Sequence, residues 1–216
     1  MPPSAIRSRL RFMARWEPDA YGRLRDAALA LFAEQGFEKT TVAQITERAG
    51  LHRRTFFHHF ADKREVVFTA QGDSEELIAT EIRAQPDSLD PLHAAIAGLK
   101  VAAGTIYEQY REGAINLGRI IAASPELQER ELAKRGALAG VIADALRDRG
   151  TADPAATVSA WTAVAVFFAA RNQWNQAGNR QPLVQLIETT LEEFLSATTY
   201  PSAAAGRRRL TVPAGE

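Results

Sequence analysis

Residues able to do chemistry concentrate in one short stretch, Leu-His-Arg-Arg-Thr-Phe-Phe-His-His-Phe from Leu51 to Phe60, with Lys63 three residues beyond. Arg53 and Arg54 carry guanidinium forks suited to the paired acceptors of a guanine edge or to a phosphate. Thr55 offers a methyl group to a thymine methyl, and His58, His59 and Lys63 follow at a spacing that turns them toward flanking phosphates. This is the chemistry of polyanion recognition, not of bond making. The chain has no Cys, which excludes a thiolate nucleophile, a disulfide framework and a Cys-based zinc site. Three of its four histidines lie in this stretch, and the adjacent His58 and His59 face different ways on a helix, whereas helical metal ligands sit at i and i+4. No metal site and no cofactor is expected. Glu-x-x-His, a Gly-rich phosphate loop and Gly-x-Ser-x-Gly are all missing from the sequence, so an enzyme is not expected either.

The charge distribution agrees. The formal net charge is zero, yet residues 1–64 hold twelve Lys and Arg against seven Asp and Glu, while residues 65–216 hold fourteen against nineteen. A basic head on an acidic body is the asymmetry expected when only the head meets a polyanion. The longest nearly apolar run, Ala160 to Ala170, is about half of the roughly 20 residues a membrane-spanning helix needs. No apolar block follows the basic N-terminal residues, so a cytoplasmic protein without a membrane partner is expected.

The elements that must hold the basic stretch are helices. Apolar positions recur at three and four residues throughout, with no sustained alternation, which predicts an all-α chain. Leu24, Ala27, Ala28, Leu31 and Phe32 form a stripe that stops at Gly36, giving a helix over roughly 20–35. Thr41 and Gln44 have capping-box spacing and open a short helix that ends at Gly50. Two short helices joined through a Gly, the second studded with cations, make a helix-turn-helix whose second helix enters the major groove. Phe56, Phe57 and Phe60 cannot all be exposed, so at least Phe60 is expected to pin that helix onto the first. A surface helix with a few cations would show the same charge, so the charge alone does not decide. Farther on, Asp62 and Glu65 open a helix to about 84, and Asp90-Pro91 opens one toward Tyr110. Gly113 precedes another helix, to about 123. Ser124-Pro125-Glu126, Asp153-Pro154 and Pro182 start the last three.

The body offers polar-tipped and aromatic side chains on otherwise apolar helices: His93, Tyr107, Tyr110, Asn116, Trp161, Phe168 and Arg171. That mixture suits a small-molecule pocket, although each residue taken alone also suits core or surface. Leu191 and Phe194 share the apolar face of the last helix, which together with the helix before it is expected to form a dimer interface.

The ordered run Ala27-Ala28-Leu-Ala-Leu-Phe-Ala-Glu-Gln-Gly-Phe37, Thr40-Thr41-Val-Ala-Gln-Ile45, Ala49-Gly50-Leu51, Thr55-Phe-Phe57, Phe60 and Lys63 closely resembles the N-terminal domain of the tetracycline-repressor (TetR) family, over about 45 residues without a gap. The resemblance implies a homodimer of all-helical subunits, three N-terminal helices binding operator DNA and about six more forming a ligand pocket and the dimer interface. It implies a phosphate-contacting cap at Thr41, a phosphate-contacting Lys63 and base-reading positions at Arg53, Arg54 and Thr55. Three residues depart from the family pattern: His52 where Ser or Thr usually caps, Arg54 where a small residue is frequent, and Phe57 where a Tyr hydroxyl often meets a phosphate. The expected organisation is a basic arm over 1–18, a helix-turn-helix domain over 19–64, a ligand-binding and dimerisation domain over 65–199 and a loose tail over 200–216. The expected function is a repressor released from a near-palindromic operator by a small molecule. The alternative is a helical-bundle enzyme or carrier.

Overall fold

The computed structural model describes residues 19–68, 71–109 and 111–198. The expected N-terminal arm, the tail and Tyr110 lie outside the described residues. Among the described residues nine α-helices follow one another: α1 Ala20–Gln35, α2 Val42–Ala49, α3 Arg53–His59, α4 Gln71–Ala84, α5 Pro91–Ala102, α6 Arg111–Ala122, α7 Pro125–Asp148, α8 Ala155–Trp174 and α9 Leu183–Thr198. No strand occurs among the described residues.

The helix boundaries follow local chemistry. Thr41 and Gln44 form the capping box: the Gln44 amide donates to Thr41 Oγ1 at 3.3 Å and the Thr41 amide to Gln44 Oε1 at 2.9 Å. Gly50 ends α2 at φ 64°, a left-handed conformation that side chains rarely adopt. Asp90 and Ser124 cap α5 and α7, each followed by Pro in the first turn.

Two expected boundaries moved. The helix predicted from Asp62 to about 84 is a 3₁₀ turn, Glu65–Phe68, and then α4. Asp62 does cap that turn, accepting from the amides of Arg64 at 2.8 Å and Glu65 at 3.1 Å. Val66 and Val67, buried in the head, hold the turn there instead of letting it run on. Gly113 lies inside α6 because its exposed position asks nothing of its backbone. The break falls earlier, where α5 loosens into a π turn at Ala103–Tyr107.

The Asp62 carboxyl is held below the usual carboxylate range, chiefly by its hydrogen bond to Arg64 and further by the two amides, against a smaller opposing effect of burial. A carboxylate depressed in the folded state stabilises fully above its unfolded pKa of about 3.9 and loses that contribution as pH falls through the depressed value. Asp62→Asn is therefore expected to flatten the acid side of the stability-versus-pH curve, measured by urea melts between pH 2.5 and 6; an unchanged curve would dismiss the cap's contribution.

Packing divides into two cores. The body core gathers α4, α5, α7, α8 and α9 around residues such as Ile82, Leu99, Ile142, Phe167 and Trp174. Trp174 is fully buried and its indole N–H donates to Glu108 Oε1 at 3.0 Å, so this carboxylate satisfies the one polar atom the ring brings inside. The head core is built from Leu24, Ala28, Phe32, Ile45, Phe56 and Phe60, and it is closed by Val66, Val67 and by Ile120, Ile121 and Leu127 of α6 and α7. The head is thus not self-contained: two body helices supply part of its interior. Polar ties cross the same junction, from Arg130 Nη2 to Glu65 at 2.6 Å and from Ser124 Oγ to Glu38 at 2.7 Å.

Candidate nucleic-acid interface and effector cleft

Helix α3 is only two turns long, and its apolar face positions it. Phe56 is wholly buried and Phe60 nearly so, and Phe60 stacks on Tyr21 of α1 at 5.2 Å between ring centroids. That leaves the opposite face toward solvent. Arg53, Arg54, Phe57 and His58 are exposed, Thr55 is half-buried, and the Arg53 guanidinium lies 5.5 Å from the centre of the Phe57 ring. Phe57 is 49 % exposed, which costs hydrophobic stabilisation unless something else covers it. His59 turns its ring edge toward Tyr21 at 6.1 Å, partway into the α1–α3 seam. His52 occupies the N-cap position of α3 but makes no side-chain cap hydrogen bond.

The turn between α2 and α3 is braced from α1. An Arg23 guanidinium N–H donates to the carbonyl of Ala49, and Arg48 makes a two-point ion pair with Glu34 at 2.5 and 2.7 Å. Thr41 is exposed beside this frame. The sequence reading missed Arg23, which braces that turn, and Gln35 and Thr40, which shape the α1–α2 loop: Gln35 Nε2 donates to Thr40 Oγ1 at 3.1 Å, and that hydroxyl donates to Gly36 O at 2.8 Å. The buried Thr40 carried a signal, since a hydroxyl just past a Gly-ended helix commonly caps the loop.

Lys63, expected at a phosphate, is tied to the α1–α2 loop. Its ammonium donates to the carbonyls of Phe37 at 2.8 Å and Thr40 at 3.1 Å, and it sits 4.0 Å from the centre of the Phe37 ring. The charge clamps the α1–α2 loop, so any phosphate contact is made with an ammonium already committed to two carbonyls. Lys63→Met is expected to lower head stability by about 1.5–3 kcal/mol, the range for hydrogen bonds to a charged group, with little change in the salt dependence of DNA binding. Thermal melts and salt titrations check this; a full unit lost from the salt slope at unchanged stability would favour the phosphate contact over the clamp.

In the body, a cleft of about 380 Å³ opens between α6, α7 and α8, and Glu131, Arg135 and Arg171 line it. Glu131 pairs with Arg135 at 2.7 Å and with Arg171 at 3.1 Å. Phe168 lies beneath both cations, 4.0 Å from the Arg135 guanidinium carbon and 5.2 Å from that of Arg171. Tyr107 packs edge-on against Phe167 at 5.5 Å, and burial pushes its hydroxyl pKa up, opposed by nearby Arg171 and reinforced by Glu131.

Of the residues expected at a pocket, Arg171 lines the cleft and Phe168 supports its cations. Asn116 is half-buried on α6 and is not among the lining residues. Two others lie away from this cleft. His93 lies at the surface, with Nδ1 2.7 Å from Asp90 at the start of α5. Trp161 is half exposed beside Gly136, outside the cleft. Glu131, Arg135 and Asn175 were missed because an i, i+4 Glu–Arg pair reads in sequence as a solvated face.

Residues 24–70 match the model of the family described as bacterial regulatory proteins, tetR family. The HTH-type transcriptional regulator TcmR of Streptomyces glaucescens is 34% identical over 125 residues, 54% of this chain and 55% of that protein, so the match spans about half the length of that curated relative. The putative mycofactocin biosynthesis transcriptional regulator MftR of Mycobacterium tuberculosis is 29% identical over 157 residues, 70% of this chain and 77% of that protein. Among solved structures, SmeT, the repressor of the Stenotrophomonas maltophilia multidrug efflux pump SmeDEF, shares the fold with a TM-score of 0.53 at 21% identity, covering 82% of this chain and 88% of SmeT. The family's sequence pattern thus runs through residues 24–70, the three helices that present Arg53 and Arg54, and beyond them the body shares the fold of SmeT.

Proposed function

We propose that the chain is a cytoplasmic, ligand-responsive transcriptional repressor that binds a near-palindromic operator as a homodimer and is released by a small molecule held in the body. The observation that carries this reading is the exposed row Arg53, Arg54, Phe57 and His58 on a short helix whose opposite face is locked into the head by Phe56 and Phe60. Such a helix presents base-reading and phosphate-contacting groups on a rigid support, with Thr41 and His52 at the helix starts and Thr55 and His59 along the flank. Two copies on one face of the duplex need their recognition helices about 34–36 Å apart. A ligand that prefers a different head spacing lowers operator affinity by its differential affinity for the two states. Retardation of a fragment from upstream of the chain's own coding region tests the reading. A sequence-specific shift competed only by the same fragment is expected; binding of all fragments alike would overturn it.

The dimer contact is assigned to α8 and α9. Val158 and Trp161 on α8 and Phe194 on α9 are exposed apolar side chains, more than a solitary subunit needs. Leu191, expected beside Phe194 at the interface, is instead buried in the body core, so a charge there is expected to destabilise the fold rather than test the interface, whereas Phe194 is exposed. Phe194→Asp is expected to give folded monomers at micromolar concentration with operator affinity at least tenfold lower, read by sedimentation and gel shift. A dimeric Phe194→Asp protein would move the interface elsewhere.

A further inference from the structure

The cleft between α6, α7 and α8 has a definite charge and two polar atoms without partners among the described residues. Arg135 and Arg171 face one carboxylate, Glu131, which leaves one positive charge in excess among the lining residues. Arg135 Nε is buried and donates to nothing within the described residues, although the same guanidinium spends an Nη on Glu131. Asn175 Oδ1, also lining the cleft, is buried and accepts no hydrogen bond from the described residues. The Arg171 side chain is 12% exposed, so its charge sits where solvent screens it weakly. A buried guanidinium donor without an acceptor is costly, and an anion with planar, paired oxygens is the group that best satisfies it. Beside these groups stand Ile121, Ala122 and Leu132, which offer apolar surface to the rest of a ligand.

We propose that this cleft binds a small organic carboxylate, its charged end held by Arg135 and Arg171 and its apolar body lying along Ile121 and Leu132. The proposal rests on the repressor reading above and gives its effector a chemical class. It also supplies a route to the DNA-binding head. Ile121 lines the cleft and at the same time fills the head core with Ile120 and Leu127. A ligand body wedged against α6 therefore bears on a residue that the head needs in place, with no intervening chain of contacts. Glu131 has the opposite sign of effect: it pairs with both cations and competes with an incoming carboxylate.

Titration calorimetry of the full chain with sodium benzoate and sodium octanoate, against benzamide and octanamide as neutral counterparts, tests the assignment without any DNA. At least one carboxylate is expected to bind, with its amide at least tenfold weaker. Arg171→Gln and Arg135→Gln are each expected to weaken it about tenfold, and Glu131→Gln to tighten it about tenfold. The opposite sign at Glu131 separates loss of a binding group from loss of folding. Absence of binding by both carboxylates, equal binding of acid and amide, or weaker binding in Glu131→Gln would each overturn the proposal, and tighter binding of octyl phosphate than of octanoate would overturn the carboxylate assignment. Gel shifts with ligand-free protein keep the two readings apart: retarded operator with no carboxylate response discards only the effector class, whereas carboxylate binding without operator retardation discards only the repressor.

Discussion

Replacing Arg53 or Arg54 with alanine is expected to cost about 1–3 kcal/mol of operator affinity each, roughly 5- to 150-fold, and to relax the sequence preference at the base each one reads. The effect is large because both side chains stand at the exposed N-terminal end of α3, where a guanidinium can address a base edge, and neither is part of the buried core. Stability should therefore be unchanged, which distinguishes these substitutions from Lys63→Met. Competition gel shifts against a library of operator variants read the change in preference. Uniform weakening across all sequences, without any change in preference, would reassign both arginines to the phosphate backbone.

Phe56→Ala is expected to remove about 3–5 kcal/mol of stability, the range for truncating a fully buried aromatic. Phe56 is completely buried and its ring lies 5.3 Å from that of Phe60 and 5.4 Å from that of Phe57, so its loss loosens both flanks of α3 together. Against a typical total of about 5–15 kcal/mol, such a loss leaves the head marginal or unfolded at 37 °C. Chemical denaturation followed by circular dichroism measures it, and operator binding should vanish in parallel. A variant within 1 kcal/mol of the parent would show that α3 is held chiefly by its other contacts.

The head was legible in sequence because its signals are local. Thr41 with Gln44, Gly36 and Gly50 fix the helix ends through neighbours within a few residues, and the alternation of aromatic and cationic residues from Arg53 to Phe60 separates the buried face from the exposed one. The body was less legible because its decisive contacts join residues far apart in the chain. Glu65 meets Arg130, Glu108 meets Trp174 and Leu183, and Glu131 gathers Arg135 and Arg171 around Phe168. Nothing in the run Glu-Arg-Glu-Leu-Ala-Lys-Arg from Glu129 to Arg135 distinguishes the residues that turn inward from those that stay in water. The same limit explains Leu191 and Phe194: both fit one apolar stripe, and only packing against α8 separates core from surface.

The borrowed interior of the head sets where hybrid proteins can be spliced. A chimaera joined after residue 64 would give the incoming head a foreign Val66–Val67 turn and foreign counterparts of Ile120, Ile121 and Leu127, leaving its core either hollow or overfilled. Transplanting the recognition helix alone, by changing only the exposed positions of α3, keeps that interior intact. Operator preference in this scaffold is therefore exchangeable by surface grafting, whereas exchange of whole heads requires the α6–α7 corner, residues 111–127, to travel with them.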